Sequence, residues 1–122
     1  MKSFKKIANW LNKQYQFYSS IKFEFEFVTE LPNQLLENKV LVVTEGNKPD
    51  TLVFKCPCGC NSTIFLNLLE DAKPRWKYRI TKRGNISISP SVWRRVGCKS
   101  HFIVREGRIE WVYSSRNDSA FR

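Results

Sequence analysis

Cys56-Pro57-Cys58-Gly59-Cys60 places three thiols within five residues, and Cys98-x-x-His101 adds a fourth thiol and an imidazole. These five residues are every cysteine and the only histidine of the chain. Thiolate and imidazole are the usual ligands of zinc, which takes about four of them at roughly 2.0–2.3 Å. Pro57 and Gly59 shape the first cluster into a turn, and Gly59 supplies the freedom to adopt positive φ that a chelating turn needs. The spacing therefore predicts one zinc ion per chain, drawn from Cys56, Cys58, Cys60, Cys98 and His101. Which four of the five bind stays open. An iron–sulfur cluster is the competing reading, because mixed Cys/His ligation with a C-x-x-H half is known from Rieske centres, but the first half here holds no histidine. The bland alternative is reduced buried thiols beside an ordinary histidine.

Other chemistry is weaker in the sequence. The metallopeptidase motif H-E-x-x-H is absent. A serine or cysteine hydrolase needs a histidine base, and a His101 that ligates metal is not free for that role. Ser91, in Ile88-Ser89-Pro90-Ser91-Val92-Trp93, reads either as a nucleophile beside the metal or as the cap of a short helix through Trp93 and Val96, and the cap is the preferred reading. A zinc site left open to water would give a metal-dependent hydrolase with Glu106 or Glu110 as base. The catalytic candidates are thus Ser91 and Glu106, and whether the chain is an enzyme stays open. No other cofactor motif stands out.

The elements that position these residues read as mainly β (α+β): a single compact antiparallel β domain with an N-terminal helix, stabilised by one Cys/His metal site. Phe4, Ile7, Ala8, Leu11, Tyr15 and Tyr18 recur at helical spacing after Ser3, so residues 3–18 are predicted helical, packed on their own sheet. Residues 21–28 alternate strictly, with Ile21, Phe23, Phe25 and Phe27 on one face. Strands are expected at 40–43, 51–55, 63–68, 75–81 and 86–89, and as a hairpin at 102–105 and 109–113 that turns at Glu106-Gly107. The cysteine turn then sits at the tip of a hairpin formed by 51–55 and 63–68. The organisation is one domain over 1–122, with the helix in 1–20, a β core with the metal site in 21–113, and a tail at 114–122.

The chain of 122 residues is 42% hydrophobic and 26% charged, which fits a folded domain. Its net charge is +10. Residues 1–69 hold 8 Lys/Arg against 6 Asp/Glu, and residues 70–122 hold 13 against 5. The basic half implies an acidic partner, either a protein surface or nucleic acid. Arg75, Lys77 and Arg79 alternate with Trp76, Tyr78 and Ile80. The alternation sends the aromatics to the core and leaves the cations as a solvated face. No run is long enough to span a bilayer and no signal peptide is evident, so a cytoplasmic protein with reduced thiols and no membrane partner is expected.

Cys-Pro-Cys-Gly-Cys at 56–60, Pro-Ser-Val at 90–92, Cys-Lys-Ser-His-Phe at 98–102 and Gly-x-Ile-x-Trp at 107–111 together resemble a family of small bacterial proteins of unassigned function. Its members lie beside ubiquitin-like conjugation genes, with E1-like and E2-like partners, in anti-phage operons. The similarity spans about residues 25–112 and leaves out residues 1–20 and the end of the chain. It marks the same five Cys/His residues as the metal site and Ser91 as part of the signature. It implies a cytoplasmic zinc-binding component of a bacterial ubiquitin-like modification pathway. Such a protein would bind or proteolytically process the modifier or its conjugates, with the modifier or its E1-like and E2-like enzymes as partners. Arg75, Lys77, Arg79, Arg94 and Arg95 are then expected near that partner. The alternative is a zinc-stabilised nucleic-acid-binding module.

Overall fold

The computed structural model describes residues 16–112. Among them, nine strands and no helix form two sheets. The strands are β1 (Gln16–Lys22), β2 (Glu24–Val28), β3 (Lys39–Glu45), β4 (Lys48–Lys55), β5 (Thr63–Asn67), β6 (Lys77–Ile80), β7 (Ile86–Trp93), β8 (His101–Arg105) and β9 (Arg108–Val112). One sheet runs β1-β9-β8-β7-β6 and the other β2-β3-β4-β5. Every pairing is antiparallel except β2 with β3, which is parallel.

The described residues are therefore all-β, which corrects the α+β expectation with its N-terminal helix. Residues 1–15 of the expected helix, and the tail, lie outside the described residues. Residues 16–18, its last turn, belong to β1, where Gln16, Phe17 and Tyr18 pair with Val112, Trp111 and Glu110. Backbone pairing with an available edge overrides a local helical spacing.

The alternating run at 21–28 is also not one strand. It breaks at Phe23, with β1 in one sheet and β2 in the other. Phe23 is the crossover and is buried. Its N–H donates to the Gly107 carbonyl at 2.6 Å, and the Gly107 N–H donates to the Ile86 carbonyl at 2.7 Å. Gly107 sits at φ +75°, and a Cβ there would lie 2.8 Å from the Phe23 carbonyl oxygen. Only glycine meets both conditions.

Period-two patterning builds the core where strands have one dry face. In β5, Ile64 and Leu66 are buried between exposed Thr63, Phe65 and Asn67. In β8, Phe102 and Val104 are buried while His101 and Ile103 are half-exposed. Both sheets contribute to one cluster, joined through Phe54, whose ring meets Phe23 at 5.5 Å and Phe102 at 6.4 Å. Each such ring removed from water contributes about 1.5–3 kcal/mol. The opposite face of the five-stranded sheet carries Ser91, Trp93 and His101.

Candidate active site and metal centre

The hairpin of β4 and β5 carries the cysteine turn at its tip, and a second turn between β7 and β8 carries Cys98. The Cys56 N–H donates to the Ser62 carbonyl at 2.8 Å and the Gly59 N–H to the Cys56 carbonyl at 3.3 Å, which closes the first turn. Gly59 adopts φ +91°. The four sulfurs of Cys56, Cys58, Cys60 and Cys98 all lie within 4.8 Å of one another. Cys56 is 3.5 Å from Cys58 and 3.7 Å from Cys98. A tetrahedral ion with sulfur ligands at ~2.3 Å spaces them ~3.8 Å apart, so the group is close enough to hold one metal ion.

The thiols differ in how readily they ionise without metal. Burial pushes Cys56 up to about 12. Hydrogen bonds from the Ser62 hydroxyl and backbone bring exposed Cys60 down to about 6. Partial burial opposes ionisation of Cys98, but hydrogen bonds at Ser100 outweigh it and lower the thiol. A cation at the centre would favour all four thiolates together.

Of the five residues expected to share the ion, His101 stands outside this group. Its Nε2 lies 2.9 Å from Ser91 Oγ. The hydroxyl donates in this bond when the imidazole carries its proton on Nδ1. The separation follows from register. His101 opens β8 with its side chain on the face opposite buried Phe102, whereas Cys98 packs against the core cluster. His101 stands across from Trp93 of β7, and Val92 stands across from Phe102. Arg94 N–H donates to the Ser100 carbonyl, so the neighbouring Trp93–His101 pair is of the non-hydrogen-bonded kind, in which side chains approach most closely. The two rings stack, with centroids 5.1 Å apart and planes at 17°.

Ser91 is part of β7 and caps no helix. It precedes Trp93 by two residues, so both share the face of His101. The register slips between Ile88 and Val92, a bulge that re-aims the Ser91 segment. The indole N–H of Trp76 donates to the Ser91 carbonyl at 3.3 Å and braces it. Burial lowers the His101 pKa below its usual 6.5, which keeps the ring neutral near pH 7 and able to accept a proton.

Glu106 lies at the other end of β8, in the turn to β9. Its carboxylate accepts hydrogen bonds from Thr81 Oγ1 at 2.6 Å and Asn85 Nδ2 at 3.3 Å. Glu110 is buried and pairs with Arg105 at 3.1 Å. Trp76 and Trp93 were not singled out by the sequence as site residues. Ser91-x-Trp93 spacing on a strand was the signal that joins the latter to the serine. Lys77 and Arg79, paired with Ser89 and Ser87, lie on the same face of the sheet as Ser91. Among the described residues, no helix is long and apolar enough to cross a membrane.

A family model described as bacterial ubiquitination-like system serine protease (BubE) matches residues 27–112. No curated protein and no solved structure matches the chain.

Proposed function

This chain belongs to the bacterial ubiquitination-like system serine protease (BubE) family, and on that premise we propose that it is a serine peptidase that cleaves the modifier or its conjugates. Ser91 is the nucleophile, His101 its base, and the four cysteines hold one structural zinc. The observation that carries this reading is the 2.9 Å contact between Ser91 Oγ and His101 Nε2, two side chains held on adjacent strands of one rigid sheet.

The chemistry follows from that geometry. Ser91 Oγ adds to the scissile carbonyl carbon as its proton passes to His101 Nε2. The imidazolium then gives this proton to the departing amine nitrogen, the C–N bond breaks, and an acyl ester remains on Ser91. Water, with His101 again as base, releases the carboxylate and restores the hydroxyl. His101 serves here as base, while zinc is held by the four thiols. Cys56, Cys58, Cys60 and Cys98 would hold the zinc as four thiolates, and it would then supply folding free energy.

The acidic partner of the basic half is then a protein of the pathway: the ubiquitin-like modifier, alone or delivered by its E1-like or E2-like enzyme. Lys77 and Arg79 flank the Ser91 face and suit an acidic surface. A nucleic-acid partner would instead show a steep loss of binding with salt.

The test uses a ubiquitin-like modifier of a bacterial ubiquitination-like system, fused at its C-terminus to a reporter. Wild type should cleave the fusion. Ser91→Ala and His101→Ala should each lose about 10³-fold or more in rate while keeping their zinc and their thermal midpoint. Cleavage that survives Ser91→Ala would overturn the serine reading.

A further inference from the structure

A serine–histidine pair works best when a third group holds the imidazole in position and favours the cation formed as it takes the proton. Among the described residues, the imidazole has one hydrogen-bond partner, the Ser91 hydroxyl, and one stacked ring, Trp93. Neither acid close to it in sequence takes the third place. Glu106 is engaged by Thr81 and Asn85 at the far end of β8. Glu110 pairs across from Ile103, one diagonal step from His101, and its Oε2 forms an ion pair with Arg105 at 3.1 Å, with no hydrogen bond to His101.

We propose that Trp93 is the positioning residue of this site, its indole doing for His101 what a carboxylate does in a triad. The inference rests on the Ser91–His101 reading and extends it. Two physical effects support it. The stack, at 5.1 Å and 17°, fixes the plane of the imidazole, so rotation that would carry Nε2 away from Ser91 must first break ring contact. The indole face carries partial negative charge, so it attracts imidazolium more than imidazole. The stabilisation thus grows as the proton is transferred, which is the condition for a faster chemical step. The indole is itself held. The guanidinium carbon of Arg95 lies 4.5 Å from its centroid, and Trp93 shares the β7 backbone with Ser91 two residues away. One strand therefore presents both the nucleophile and the ring that aims its base.

The experiment follows labelling of Ser91 by a fluorophosphonate alongside cleavage of the modifier fusion. In labelling, Ser91 Oγ bonds to phosphorus, fluoride leaves, and the hydroxyl proton passes through His101 to solvent. Trp93→Phe keeps an aromatic face, and Trp93→Leu keeps apolar bulk without one. Trp93→Phe should label and cleave within about threefold of wild type. Trp93→Leu should fall roughly tenfold in labelling rate and in kcat, with KM changed by less than about twofold. Trp93→Met serves the same comparison if the leucine variant melts below assay temperature. Equal rates for the aromatic and aliphatic variants, both folded and zinc-loaded, would overturn the role of the ring. A wild-type protein that does not label at Ser91 would overturn the underlying serine–histidine reading instead, so the two failures are distinct.

Discussion

The sulfurs of Cys56 and Cys98 lie 3.7 Å apart although 42 residues separate them in the chain. Cys56 directly follows β4 of one sheet, and Cys98 lies in the turn that joins β7 to β8 of the other. An ion held by these thiols therefore fastens one sheet to the other. It also fixes the turn between the strand of Ser91 and the strand of His101.

Purified protein should contain one zinc per chain by elemental analysis. His101→Ala should keep that zinc, and Cys98→Ser should lose it. Zinc lost from the histidine variant would return His101 to the metal.

Cys98→Ser, or chelation of wild type, should lower the thermal midpoint of the whole domain. Metal binding is folding free energy where the site exists only in the folded chain. A loss of ~2 kcal/mol corresponds to about 8 °C for a chain of 122 residues. An unchanged midpoint in both samples would mean that the four thiols do not hold a structural ion.

Cleavage should follow the neutral form of His101. Burial lowers its pKa in the folded protein, so kcat/KM should rise with pH through a midpoint below 6.5 and reach a plateau before neutrality. The linked effect on stability has a definite sign. The unfolded chain binds this proton more readily than the folded one, so acidification through the unfolded value, 6.5, and down past the folded one costs stability. A rate that instead rises only above pH 7 would show that a different group is the base.

Lys77→Glu with Arg79→Glu should raise KM for the modifier fusion several-fold and leave kcat unchanged. Both cations lie on β6, paired with Ser89 and Ser87 on the face that carries Ser91. Added salt should shrink the difference, because exposed ion pairs are screened. An unchanged KM would place the acidic partner on another surface.

Arg105→Ala should destabilise the domain by about 1–3 kcal/mol in urea unfolding, because it strips the buried Glu110 carboxylate of its ion pair. Adding Glu110→Gln should recover part of that loss. No recovery would show that the arginine acts through its alkyl packing.

Much of this arrangement was legible in the sequence. The strands expected at 63–68 and 102–105 are β5 and β8, and the structure adds which of their residues are buried: Ile64, Leu66, Phe102 and Val104. The cysteine spacing predicted a group of thiols at a hairpin tip. Alternation failed at Phe23 because period two continues unbroken while the chain changes sheets, and the Gly107 contact that forces the change is over 80 residues away. The helical spacing before residue 18 gave no sign of β9, whose edge captures residues 16–18. The C-x-x-H spacing suggested that Cys98 and His101 share an ion, but spacing does not reveal that a strand begins between them. In the structure, His101 opens that strand with its Nε2 2.9 Å from Ser91 Oγ, and the four cysteine sulfurs form a group by themselves.

The clamp at Gly107 has a consequence for any survey of sequence tolerance. A library saturated at every position and selected for cleavage would reject substitutions at 107 almost as firmly as at Ser91. The two losses have different origins. One removes the proposed nucleophile from an intact molecule. The other pushes a side chain against the Phe23 carbonyl at the point where the chain passes between sheets. A second selection for cellular abundance would separate them: variants at 91 should accumulate to normal levels, and variants at 107 should be depleted. Intolerance at 107 would thus record the chain path and not the chemistry.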